Sequence, residues 1–275
     1  KVTTVCLLSG VLMGAALDTK NRRTTMTKTT QAEQAPQTIS LAAALSKKSV
    51  FNYITFWIVG DTPLITHAWS EKARREMLFK QVKGTKPGKE ARDPQEDFVN
   101  SLYQMGDDAY GFPVTGIKNC ILSAAHKDKG IPRTDVRAAL YLSAEMVRVR
   151  PALAGAMCDV PLVRIWGSKP EMREDMVRIG SGLNKTANLS YRGQFTVWAI
   201  RVVGKFNATT ITAEQLAFVV QEAGMSYGLG EWRMEKDGIF GSFHLAVADE
   251  EAAWEKFAAG KGRMPVPESY KAAAE

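Results

Sequence analysis

SYRGQFTVWAIRVVGKF, residues 190–206, decides how the rest of the chain is read. In an extended chain successive side chains alternate between faces. Phe195, Val197, Ala199 and Val203 therefore share one face, and Trp198, Ile200 and Val202 the other. Both faces are apolar, which predicts a strand covered on both sides, in the middle of a sheet. Residues 51–59, FNYITFWIV, are aromatic and β-branched and predict a second buried strand, ended or bent by Gly60-Asp61-Thr62-Pro63. Downstream, Thr212 and Gln215 have the spacing of a capping box for a helix carrying Leu216, Ala217 and Val220, with Gly224 expected at C′. A glycine-rich loop then leads to a last strand over residues 240–247, and Asp249-Glu250-Glu251 opens a short final helix.

Helices are predicted between the first strand and this C-terminal half. Ser70 can cap one that turns Ala73, Met77, Leu78 and Val82 inward. Asp93-Pro94-Gln95-Glu96 places an N-cap, a proline at N1 and an acid at N3 ahead of Phe98, Leu102 and Met105. Tyr110-Gly111-Phe112 makes a short turn or strand. Pro113 then opens a third helix, with Ile117, Cys120, Ile121, Ala124 and Ala125 on one face. Residues 147–149 and 162–166 read as strands interrupted by Pro151, Pro161 and Pro170. The order of elements predicts an α+β fold: a ferredoxin-like (RNA-recognition-motif-like) antiparallel sheet with helices on one face and a helical insertion at about residues 69–127.

Residues 46–259 are expected to form a single domain. Residues 1–45 are expected to form a disordered leader, polar and rich in Thr and Gln from Met26, the expected natural start. Residues 5–13 are apolar like the core of a signal peptide, but no clear cleavage site follows them. Residues 260–275 are expected to be a flexible tail. Hydrophobic residues make up 45% and charged residues 24%, an ordinary globular composition, and no apolar run is long enough for a membrane span. Cys6, Cys120 and Cys158 lack the spacing of a zinc or redox motif, which predicts reduced thiols and a cytoplasmic location.

The net charge of +7 favours acidic partners. It is concentrated. Residues 69–92 hold Lys72, Arg74, Arg75, Lys80, Lys83, Lys86, Lys89 and Arg92 against three glutamates, an excess of five. A basic helix and loop of this kind can track phosphates; its plainer reading is a solvated face. Gly228-Leu229-Gly230-Glu231-Trp232-Arg233, followed by Gly238 and Gly241, places four glycines in fourteen residues. Free amides in such a turn can cradle phosphate oxygens, Arg233 can pair with a phosphate and Trp232 can stack on a base; otherwise the glycines only shape a turn. No helix or Gly-Lys-Ser/Thr follows, so the turn is neither a dinucleotide fingerprint nor a P-loop. Arg173 and Arg178, interleaved with Glu171, Glu174 and Asp175, and the Tyr191-Arg192 pair form a third candidate surface.

Thr62-Pro63-Leu64-Ile65-Thr66-His67, directly after the first strand, resembles the opening of RAMP-superfamily proteins, the RNA-binding backbone subunits of CRISPR effector complexes. The late GLGEWR and GIFGSF phrases are similar to the C-terminal glycine-rich loop of that family, although Glu231 and Glu235 depart from it. KEARDP, YGFP, MREDMVRIG and GEWR also resemble uncharacterised phage and prophage proteins. The resemblance implies RNA binding and assembly into a complex.

These features predict a protein that binds single-stranded RNA or DNA through its backbone, without catalysis or cofactor, alone or as part of a homo-oligomer or protein complex. One alternative is a phage structural or host-protein-binding protein. Another is a metal-dependent nuclease using Asp107, Asp108 or His67. His126 and His244 are expected to be structural. The nucleic-acid reading requires the basic segment and the glycine turn to share one concave surface. It is abandoned if the two lie on opposite sides of the molecule or if Arg233 is buried against its neighbouring glutamates.

Overall fold

The apolar stretch at residues 190–206 forms two strands, not one. The computed structural model describes residues 51–69, 71–84, 93–106, 108–126, 130–148, 159–179, 186–267 and 270, all within a unit running from Lys48 to Glu275. There, β9 (Thr186–Phe195) ends, Thr196 and Val197 turn, and β10 (Trp198–Asn207) begins in a different sheet. The predicted central strand is β10. It pairs antiparallel with β1 (Phe51–Gly60) on one side and with β5 (Leu140–Leu142) and β7 (Asp159–Gly167) on the other.

The main sheet runs β11-β1-β10-β7-β4-β3, with β11 (Phe243–Leu245) at one edge and the β3 (Gln104–Gly106) and β4 (Ala109–Pro113) hairpin at the other. β5 pairs beside β7 on β10, and β6 (Glu145–Arg148) pairs with β7. A smaller sheet is made of β2 (Leu64–Thr66), β9 and β8 (Glu171–Ile179). All pairings between these strands are antiparallel. The fold is thus mixed α+β with antiparallel sheets, as expected from the element order.

One face of the main sheet is covered by α3 (Val114–Ala124), α4 (Arg133–Ala139) and α5 (Ala213–Ser226). Ile58, Ile200 and Val202 of the sheet pack there with Ile117, Ile121, Val136 and Val219. Among the described residues the opposite face is covered at one end only. Trp254 of α6 (Ala248–Ala258) joins Trp57, Val59, Val197 and Ala199 there. That half cover explains why the first predicted strand is not buried throughout: Phe51, Tyr53 and Thr55 are exposed where α6 does not reach.

Several local expectations hold at the level of individual atoms. Asp93 caps α2 (Pro94–Asn100), its Oδ1 accepting from the Gln95 amide at 2.9 Å. Thr212 and Gln215 form the reciprocal capping box of α5. Others are corrected. Gly224 does not end α5 but lies inside it, where a Cβ would stand 1.9 Å from the Phe243 carbonyl oxygen. This glycine serves the close packing of α5 on β11. On α1 (Glu71–Lys83), Met77, Leu78 and Val82 point to solvent, because their spacing does not repeat on one helical face and no described element covers them. Pro161 lies within β7, opposite Met146, and the charge-alternating residues 171–179, not read as a strand, form β8. The predicted helical insertion also contains the β3–β4 hairpin.

Candidate functional site

The two phrases singled out at opposite ends of the chain are bonded together. The Glu231 amide donates to the Ile65 carbonyl at 3.0 Å and the Gly241 amide to the Pro63 carbonyl at 2.9 Å. The Ser242 amide donates to Thr62 Oγ1 at 2.9 Å. Gly230, at φ +79°, fits because a Cβ there would stand 2.2 Å from the Ile65 carbonyl oxygen; at Gly241, φ +69°, it would stand 1.8 Å from that of Leu229. β2 and the glycine turn thus form one wall.

The same bonding takes up the amides of three of the four glycines expected to cradle a phosphate. The amides of Gly228, Leu229, Gly238 and Phe240 donate to the carbonyls of Ala223, Gly241, Arg233 and Trp232, respectively. Together with those of Glu231 and Gly241, they are committed to the main chain, so the turn offers a ligand mainly its side chains.

Against this wall α3 turns Gly116, Asn119, Cys120 and Ser123 toward a cleft of about 570 Å³, with His67, Arg133, Glu231, Arg233 and Glu235 around it. The small residues at 116, 120 and 123 repeat on one helical face and leave the space open. The Cys120 thiol donates to the carbonyls of Gly228 at 3.2 Å and Ala223 at 3.4 Å. Burial pushes it up to about 12, and its two contacts tie the helix to the turn.

Charge in the cleft is organised around Glu231. Its Oε1 meets His67 Nδ1, and its Oε2 accepts from Arg192 Nε at 2.9 Å. Burial works against ionisation of this carboxyl, but the His67 and Arg192 contacts together outweigh it and hold it below the ordinary carboxylate range. Arg233 is engaged in the same way: Nε and Nη2 donate to Glu235 Oε2 at 3.0 and 2.6 Å, and Nη1 to the Gly230 carbonyl at 3.1 Å. Arg133 is exposed and has no ion-pair partner among the described residues.

The remaining expected residues scatter. Arg75 and Lys80 are exposed on α1, which begins four residues after His67. Lys72 and Lys83 lie on the same helix, with side chains outside the described residues; Lys86, Lys89 and Arg92 lie wholly outside them, as do Asp107, Cys6 and Cys158. Arg173 pairs with Asp175 at 2.8 Å, donates to Gln194 at 3.0 Å and stands 4.6 Å over the Phe240 ring, bracing the β8–β9 hairpin against the glycine turn. Arg178 is exposed on β8. Tyr191 is half-buried and borders a separate groove with Met176 and Leu189. Trp232, at φ 54°, is half exposed. Asp108 reaches Lys169 at 3.3 Å, and no three His, Cys, Asp or Glu side chains converge among the described residues.

His244 bonds Asp61 at 2.7 Å and Glu250 at 3.1 Å, and the Asp61 bond outweighs burial to raise its pKa. Arg133 and the His67–Glu231–Arg192 chain were not legible beforehand: Glu231 lies 164 residues from His67, and no local pattern encodes that pairing.

A mixed α+β protein with two antiparallel sheets and a polar cleft between the β2 wall and α3 is thus the class the fold and site define. No protein-family model and no curated protein matches the chain. Its fold is similar in part to the crystal structure of Cmr6 from Pyrococcus furiosus, with 10% sequence identity over 71% of this chain and 99% of that one and a TM-score of 0.33. Function does not follow from a likeness of that degree. No helix among the described residues is long and apolar enough to cross a membrane.

Proposed function

We propose that the chain is a cytoplasmic nucleic-acid-binding protein that holds a single strand by its sugar–phosphate backbone, without catalysis, alone or within a protein complex. The observation that carries this reading is the joining of the TPLITH and GLGEWR phrases into one cleft wall, from which the chain passes at His67 into the basic helix α1. Supporting it, the path β1–α3–β7–β10–α5–β11 has the βαββαβ order, and the strands lie β11-β1-β10-β7 across the sheet, all antiparallel. We read this as a ferredoxin-like core of the RNA-recognition and RAMP kind, with β2, β3–β6, β8 and β9 added to it.

The phosphate role falls on Arg133 and the cations of residues 69–92. Arg233, Arg192 and Arg173 are held by carboxylates and act as braces. Counterion release then sets the affinity, with a slope of about −0.7 per phosphate neutralised on a single strand. Anisotropy titration of labelled single-stranded and duplex oligonucleotides across salt tests this: affinity falls steeply with salt and the single strand is preferred. A flat salt response, or no binding at low salt, overturns the reading.

One observation favours a protein partner as well. Among the described residues β8 pairs only with β9, and Met172 and Met176 on it are exposed. A virion-assembly or host-protein-binding role would use this edge, and mass measurement in solution with and without nucleic acid separates the two readings.

A further inference from the structure

The outer strand of the small sheet carries a charge pattern that the cleft does not use. β8 pairs with β9 from Glu171 to Ile179 without a shift of register. Among the described residues it pairs with no other strand. Edge strands are commonly kept from further pairing by shortness, a bulge, lysine or proline. β8 is 9 residues long and has no bulge, lysine or proline. Its side chains alternate: Met172, Glu174, Met176 and Arg178 are exposed, whereas Arg173, Asp175 and Val177 are half-buried. Arg173 and Asp175 satisfy each other at 2.8 Å. Glu174 and Arg178 have no ion-pair partner among the described residues.

A second copy of the strand answers this pattern. Two identical strands that meet antiparallel about a two-fold axis normal to the sheet set each residue opposite one on the same face, so the axis passes through a single residue. For more than half of each strand to pair, that residue lies between Arg173 and Val177. An axis at Arg173, Glu174 or Asp175 sets a charge against its own copy. An axis at Val177 sets Met176 against Arg178 and joins no opposite charges. An axis at Met176 brings the two methionines together, Glu174 opposite the partner's Arg178, and Arg178 opposite the partner's Glu174, with no like charges facing. Leu189 of β9 lies opposite Met176 and is 45% exposed, so the apolar row continues on both sides of the axis.

We propose that the chain forms a two-fold dimer in which β8 pairs antiparallel with β8 of a second copy, in the register centred on Met176. The two small sheets become one continuous sheet. Arg178, expected from the sequence to face phosphate, is an interface residue. The dimer uses no residue of the cleft and does not rest on the nucleic-acid reading.

Sedimentation equilibrium of the full chain over a concentration series tests this. The parent is expected at twice the chain mass at high concentration and dissociates on dilution. Glu174→Arg alone, or Arg178→Glu alone, sets like charges opposite each other on both sides of the axis and is expected to raise the dissociation constant about tenfold or more. Both positions are exposed, and circular dichroism and melting check that each variant folds. Met176→Lys, which sets two cations on the axis, is a third variant with the same expected outcome. Combining Glu174→Arg with Arg178→Glu restores the dimer. Mixing the two single variants also restores it, as a heterodimer, because position 174 of each copy then meets the opposite charge at position 178 of the other. A parent that stays monomeric at every concentration overturns the proposal and leaves the strand to a different protein. A dimer that persists in all three variants lies elsewhere on the molecule and overturns it as well. Variants that dissociate but are rescued neither by the double substitution nor by mixing overturn the register, and the proposal with it.

Discussion

The glycine turn at 228–241 and the basic segment at 69–92 presented themselves in the sequence as two versions of one thing, a place for phosphate. In the fold they are opposites. The turn is bonded into its surroundings: its amides reach carbonyls of its own loop, of α5 and of the β2 segment, and its arginine is held by Glu235. On helix α1, Met77 and Val82 are in solvent and Arg74 lies 5.8 Å over the Trp69 ring. Glycines clustered in sequence thus mark where main chain meets main chain. Charges clustered in sequence mark only where water is.

The sharpest way to break the comparison is to add one methyl group in each region. Gly241→Ala places a Cβ 1.8 Å from a carbonyl oxygen at φ +69°, and should cost at least about 3 kcal/mol in chemical denaturation. Gly84→Ala, at the end of the basic helix, has the same φ of +69° with nothing within 4 Å; it should cost only about 1 kcal/mol. Equal costs would mean that the turn is not wedged against its neighbours.

Binding separates the regions next. Reversing charge at Lys83, Lys86 and Lys89 should weaken every oligonucleotide by a similar factor, about tenfold or more at low salt, and flatten the salt slope. Arg133→Ala should lower the slope by about one. A substitution at Arg233 that weakened binding without destabilising the fold would restore that side chain as a ligand.

Two smaller effects come from titration. The lowered Glu231 carboxyl contributes stability that is present above its unfolded value near 4.3 and lost as pH falls through the folded value. Glu231→Gln should remove that acid dependence and cost about 1–3 kcal/mol at neutral pH, since it leaves Arg192 without its partner. His244 has the opposite sign. Its raised folded value gives stability that is complete below about 6.5 and lost as pH rises through the folded value. His244→Gln should abolish that slope, the smallest of the effects, read as melting temperature against pH.

The sequence by itself determined what depends on residues near one another along the chain. The two central strands, the Asp93 cap, the Thr212–Gln215 box and the apolar face of α3 all follow from alternation, helical spacing or a hydrogen bond spanning two or three residues. Tertiary structure alone decided the rest. It divided the stretch at 190–206 between two sheets, set Gly224 against β11, joined His67 to Glu231 and Arg192, and left Tyr53 in the open while Trp57, on the same face, is buried. Each of these depends on which distant segment arrives as the neighbour, and burial and pairing are properties of that neighbour as much as of the residue.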